Sequence, residues 1–198
     1  MFKLISQSIR QTLVWTVVTG LLYPLAITVI AQLAFPHKAG GSLVERDGKV
    51  VGSELMAQQF QGPKYFWPRP SAAGYGTGPS GLAAGSGSNL GPTSAQLQTN
   101  VRNNAKALRD AHKLPADAPV PADLVFASAS GVDPHISPAA AHFQIARVAA
   151  ARGMSEDQVS ALVAQFVEPP QWGFLGEARV NVLLLNLALD AADAKKSG

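Results

Sequence analysis

Five side chains capable of chemistry crowd into one short run: Ser128, Ser130, Asp133, His135 and Ser137. Used as a hydrolase site, a serine, the histidine and the aspartate would have to converge through the fold. No Gly-x-Ser-x-Gly elbow presents a nucleophile here. Used as a metal site, Asp133 and His135 flank a proline, and His142 stands seven residues further on without a matching ligand pair. The third reading is a strand-to-helix turn whose polar side chains satisfy backbone groups, with Ser137 capping the helix that follows. A second candidate is Gly74-Tyr75-Gly76-Thr77-Gly78. A phosphate loop needs a Gly-Lys-Ser/Thr end at a helix N-terminus, whereas Pro79-Ser80-Gly81 follows and no lysine is near.

The elements that must position these residues begin with a charge-free stretch from Gln11 to Pro36. Leu13 to Phe35 is 23 residues. At ~1.5 Å per residue that is about 34 Å, enough for a hydrocarbon core of roughly 30 Å with modest tilt. The run ends in Gln32-Leu33-Ala34-Phe35-Pro36, not in a small-x-small cleavage site, so an uncleaved anchor is expected. Thr12, Thr16, Thr19, Gly20 and Tyr23 recur at helical spacing on one face, and Thr16-x-x-x-Gly20 permits close approach of a partner helix. Pro24 is expected to kink the helix. Residues 1–12 form a short cytoplasmic segment, 13–35 the span, and 36–198 a domain outside the membrane. Basic residues flank both ends, but a long domain translocates largely regardless of charge, and nothing acidic precedes the helix.

Two of the 16 Lys and Arg precede the helix, leaving 14 against 13 acidic residues. That balance gives no basic face for nucleic acid. The absence of cysteine excludes disulfides and thiolate metal sites.

Along the soluble part, Ser42–Arg46 and Lys49–Val51 flank Asp47-Gly48 as a hairpin. Ser53 caps a short helix from Glu54 to about Phe60. Tyr65-Phe66-Trp67 and Pro68-Arg69-Pro70 read as an extended, docked segment, since prolines forbid helix and the aromatics need burial. Residues 71–92 form a long Gly/Ala/Ser/Pro loop that must borrow order from contacts elsewhere. Thr93 and Gln96 box the start of an amphipathic helix ending before Pro115. Leu124 to Ala129 reads as a buried strand. Ser137-Pro138 opens a helix stopped by Gly153, and Ser155 with Gln158 boxes another, carrying Val159, Leu162, Val163, Phe166 and Val167. The last helix runs from Asn181 or Val182 to about Ala194, largely buried, with Asn186, Asp190 and Asp193 as its polar positions and Lys195-Lys196 favouring its dipole. The fold class is α+β: one N-terminal transmembrane helix, then one mixed, helix-rich soluble domain with a small sheet.

Several of these segments share a family signature. Pro121-Ala122-Asp123-Leu124 and Ser128 through Pro138, Gln144-x-x-Arg147-Val148, Arg152-Gly153, and Leu175-Gly176-Glu177-x-Arg179 through Asn186 resemble the potassium-transporting ATPase C subunit family, KdpC. Trp67 to Ser71 and Gly87-Ser88-Asn89-Leu90-Gly91-Pro92 match it too. Phe126 and Val132 depart from the expected Thr and Leu. The resemblance implies a non-catalytic subunit of a potassium uptake pump in the bacterial inner membrane. Its partners would be a channel-like potassium-translocating subunit, a P-type ATPase subunit and a small single-helix subunit. ATP and potassium would be handled by those partners, with no cofactor held here. The family is described both as a catalytic chaperone that raises ATP affinity of the ATPase subunit and as an outside domain near the potassium entrance. Asn89, Ser128, Ser130, Asp133, His135, Ser137, Gln144 and Arg147 are the residues of the matching blocks expected at a partner interface or in a structural turn. A membrane-anchored hydrolase and a solute-binding module are the alternatives.

Overall fold

The computed structural model describes residues 1–46, 48–75 and 85–196. The chain divides into two compact units, Met1–Val51 and Gly52–Gly198.

The first unit is dominated by one helix, Phe2–Ala34, long and apolar enough to cross a membrane. Its parts are α1 (Phe2–Val17), a π turn (Val18–Leu22) and α2 (Tyr23–Ala34). The π turn lies where proline chemistry demands it. Pro24 has no N–H, and its ring crowds the carbonyl four residues back, at Gly20, so one extra residue relieves the ladder. There the Tyr23 N–H donates to the Val18 carbonyl. The Thr19 and Thr28 hydroxyls donate to the carbonyls of Trp15 and Pro24 at 2.7 and 2.8 Å. The helix stops at Phe35, whose φ of −140° answers to the following Pro36. A single turn, α3 (Pro36–Ala39), follows. Strands β1 (Leu43–Arg46) and β2 (Lys49–Ser53) then pair as expected, with Gly48 at φ 73° supplying the turn. Asp47 lies outside the described residues.

Among its described residues the second unit packs four α-helices around one core. They are α4 (Ala95–His112), α5 (Pro138–Arg152), α6 (Glu156–Gln165) and α7 (Val182–Lys196). A small antiparallel sheet accompanies them, β3 (His135–Ile136), β4 (Val167–Glu168) and β5 (Arg179–Asn181), in the order β3-β5-β4. Ile136 and Val167 both register with Val180 of the central strand. Phe66, Ile136, Val148, Val159, Val163, Val180, Leu185 and Leu189 fill the core. Ala140, Ala141 and Ala149 are buried along α5, so that helix meets its neighbours closely. Overall this is the α+β architecture expected.

Local differences have physical causes. No helix forms after Ser53: Glu54 gives its carbonyl to Asn181 Nδ2 at 2.8 Å, and the Ala57 N–H donates to the Val132 carbonyl at 2.9 Å. Tertiary partners thus claim the groups that a helix ladder needs. Leu124–Ala129 is not a strand. A 3-10 turn, Ala122–Leu124, buries Leu124 and Val125, and the Val125 carbonyl accepts from Asn104 Nδ2 at 2.9 Å in place of a strand neighbour. The α4 cap is Ser94, not Thr93, its hydroxyl accepting from the Leu97 N–H at 3.4 Å. The Ser137 cap, the Gly153 stop (φ 61°) and the Ser155–Gln158 capping box stand as read. However, α6 ends at Gln165, with Phe166 as its cap and Val167 turned into β4.

Candidate functional site

Two polar regions flank the core, and they differ in what their side chains hold. The first grips the segment 62–70. Pro63, Pro68 and Pro70 lack N–H groups and keep this segment out of helix, so its remaining backbone groups need outside partners. Asn186 and Gln144 supply them. The Phe66 N–H donates to Asn186 Oδ1 at 2.8 Å, and Asn186 Nδ2 donates back to the Phe66 carbonyl at 2.9 Å. The Trp67 N–H donates to Gln144 Oε1 at 2.8 Å, and Gln144 Nε2 donates to the Trp67 carbonyl at 3.2 Å. Each carboxamide thus pairs with one residue as a neighbouring β-strand would.

Arg147 completes the grip. Its guanidinium donates to the carbonyls of Pro63 (2.6 Å) and Tyr65 (3.0 Å), to Gln144 Oε1 (2.7 Å) and to His112 Nε2 (3.2 Å). It also lies 4.1 Å from the centroid of the Trp67 ring. Burial lowers its pKa to about 10, which leaves it charged at neutral pH. His112 is pushed down to about 4, first by burial and then by the Arg147 charge, so its neutral ring accepts the Arg147 Nε–H. Beyond it Arg152 donates to the Lys64 carbonyl at 2.6 Å and pairs with Asp190 at 2.9 Å and with Asp193.

The second region is the turn holding Asp133. Asp133 Oδ1 accepts the His135 N–H at 3.0 Å, with His135 Nδ1 3.6 Å away, while Oδ2 takes Arg69 Nη1 at 2.9 Å. Burial alone would raise its carboxyl pKa. The His135 ring and backbone and the Arg69 guanidinium outweigh it and hold the group below the ordinary carboxylate range. Ser130 Oγ accepts the Val132 N–H at 3.2 Å. Ser137 caps α5 through the Ala140 N–H at 3.0 Å, and its own N–H goes to Asp123 Oδ2 at 2.7 Å. Ser128 donates its N–H to the Pro70 carbonyl at 3.1 Å, and its buried hydroxyl has no partner among the described residues. Tyr75 donates its hydroxyl to the Arg69 carbonyl. Its pKa rises to about 12, from burial first and then the Asp133 charge, with Arg69 opposing.

The return arm of the long loop leans on this turn. A Cβ on Gly87 would meet the Ala129 carbonyl oxygen at 2.5 Å, and one on Gly131 (φ 70°) would meet that of Ser86 at 2.4 Å. Asn89 is exposed, in left-handed backbone at φ 51°. Residues 76–84, including most of the glycine-rich run, lie outside the described residues.

Arg69, Asp123, Asp133, His135, Ser137, Glu177 and Arg179 line an open cleft of about 280 Å³. Among the described residues no hydrogen bond links Ser128 or Ser130 to His135, and no three His, Asp or Glu side chains are grouped to hold a metal. The cluster as built is a turn. Sequence reasoning missed the roles of Arg69, Arg152 and Asn186. The available signals were a lone arginine between two prolines and a lone asparagine inside an apolar helix.

These features define a class: one apolar helix of membrane-crossing length on the same chain as a small α+β domain whose buried polar side chains hold its own backbone. The chain belongs to the KdpC family, described as the c chain of K+-transporting ATPase, whose pattern matches residues 5–191. It is 54% identical over 187 residues to the potassium-transporting ATPase KdpC subunit of Methylococcus capsulatus, covering 93% of this chain and 95% of that one. The KdpC subunit of Sorangium cellulosum is 57% identical, with 91% and 93% covered. That of Burkholderia cenocepacia is 52% identical over 194 residues, with 98% and 99% covered.

Proposed function

We propose that the chain is a non-catalytic accessory subunit of a high-affinity, ATP-driven potassium uptake pump. It assembles with a channel-like potassium-translocating subunit, a P-type ATPase subunit and a small single-helix subunit, and it raises the ATP affinity of the ATPase subunit. The observation that carries this reading is the full-length likeness to potassium-transporting ATPase subunits, which takes in the helix as well as the domain. In this reading Leu13–Phe35 spans the bacterial inner membrane, the N-terminus is cytoplasmic, and residues 36–198 lie outside. Only about a dozen residues then face cytoplasmic nucleotide. An effect on ATP affinity must therefore travel through helix packing and a shifted conformational equilibrium.

The deciding experiment is purification in mild detergent. The chain should bring down an ATPase and a channel-like protein, its deletion should abolish growth at micromolar potassium, and the complex without it should show weaker ATP dependence. A lone monomer, with potassium scavenging intact after deletion, sinks the reading. The face of Thr12, Thr16, Thr19, Gly20 and Tyr23 is the helix's docking surface. A Cβ added at Gly20 meets nothing within 4 Å in the isolated chain. Gly20→Leu should therefore leave the chain itself unaffected and lower the yield of complex, and an unchanged yield removes the face from the proposal.

A further inference from the structure

The tip joining β4 to β5 presents its aromatic residues outward. Trp172 and Phe174 are 78% and 74% exposed, the highest values for large apolar side chains among the described residues of Gly52–Gly198. Neither ring belongs to the core cluster. Yet the tip is tightly bonded: Gln171 and Leu175 exchange both backbone hydrogen bonds at 2.9 Å, and the Gly173 N–H donates to the Pro170 carbonyl at 2.9 Å. Trp172 itself sits at φ 55°, a region that residues with a Cβ rarely adopt. Gly173 at 84° and Gly176 at 80° make the same tight path possible. A fixed backbone that holds two aromatic rings in water does nothing for the stability of this fold.

Charge indicates what the rings meet. Around the base of the tip and the cleft beside it stand the acidic Asp123, Asp133, Glu168 and Glu177 against the basic Arg69 and Arg179. Glu168 is paired with Arg179 at 2.9 Å at the base of the tip, and Glu177 lines the cleft beside it. A segment that enters a bilayer surface draws on basic neighbours to attract anionic headgroups, and here acidic side chains outnumber basic ones. We infer that the Trp172–Phe174 tip is a plug that docks into an apolar socket bordered by basic side chains on another subunit of the pump. This rests on the accessory-subunit reading. Tryptophan on a rigid support loses little freedom on docking, as is typical of side chains that dominate an interface.

The test uses the full chain in its own membrane. With a photoreactive benzoylphenylalanine at position 174, irradiation should yield an adduct to another pump subunit. An adduct to lipid or to a second copy of this chain, or no adduct from an intact complex, overturns the inference. In parallel, the double variant W172S/F174S should unfold at the wild-type temperature, because both rings are exposed, while its yield of complex falls by roughly tenfold or more. Undiminished yield sinks the plug alone. Failure of the wild-type chain to co-purify with an ATPase and a channel-like protein sinks the subunit reading, and the plug with it.

Discussion

His135 and Gln144 stand nine residues apart, on either side of the Ser137 cap, and the fold treats them in opposite ways. Gln144 is fully buried, and both ends of its carboxamide pair with the backbone of Trp67. His135 keeps about a quarter of its side chain in solvent, on the wall of an open cleft beside Asp133. Both regions satisfy backbone groups. The difference is the medium: around buried Phe66, Gln144 and Asn186 a polar group left unpaired has no water to turn to, whereas one in the open turn does. Removing a partner should therefore cost much in the first region and little in the second.

The largest effect is expected from Arg147→Ala. It takes the donor from the carbonyls of Pro63 and Tyr65 and from the His112 ring, leaves Gln144 Oε1 with the Trp67 N–H alone, and opens space beside Trp67. A loss of about 3 kcal/mol or more follows, lowering the unfolding temperature by ~6–12 °C. Thermal unfolding of the purified chain in detergent reads it. Asn186→Leu should come next at about 2 kcal/mol, since it leaves the N–H and carbonyl of buried Phe66 unpaired. If either variant melts with the wild type, the buried grip is not what holds the segment.

The grip also predicts a pH dependence. His112 has a folded pKa of about 4 against an ordinary 6.5. Between these values the unfolded chain binds a proton that the folded chain does not, so falling pH favours unfolding. The contribution is whole above ~6.5 and is lost as pH falls through about 4. His112→Gln keeps an acceptor for the Arg147 Nε–H and removes the titration. Its unfolding temperature should therefore vary less than that of the wild type between pH 7 and 4. Equal slopes would mean that His112 is free to protonate in the fold.

How much of this was legible in the sequence depended on whether the determinants were local. The π turn aside, the apolar helix follows from composition. The Ser137 and Ser155 caps and the Gly153 stop follow from chemistry within a turn of each residue. The misread helix after Ser53 and the misread strand at Leu124–Ala129 lie where remote groups, Asn181, Val132 and Asn104, take the backbone bonds that local propensity would have assigned. The grip was invisible for the same reason. Gln144 meets Trp67 across 77 residues and Asn186 meets Phe66 across 120, and no spacing rule joins such positions. The resemblance did single out Gln144 and Arg147, though without saying that they hold backbone.

The smallest effect should be that of Asp133→Asn, and it tests the comparison most sharply. The Arg69–Asp133 pair is about a quarter exposed on each side, so screening keeps its worth to roughly 1 kcal/mol or less. Asparagine keeps an oxygen for the His135 N–H, so the turn itself persists. What is lost is the charge that holds Arg69 and, through its carbonyl, the Tyr75 hydroxyl. The expected shift in unfolding temperature is ~2–3 °C, a small fraction of that for Arg147→Ala. Should the variant melt as low as Arg147→Ala, the turn would be as much a part of the core as the grip, and the distinction between the two regions would fall. Should it melt normally yet fail to support growth at micromolar potassium, the cleft that Asp133 lines would be the surface that the pump uses.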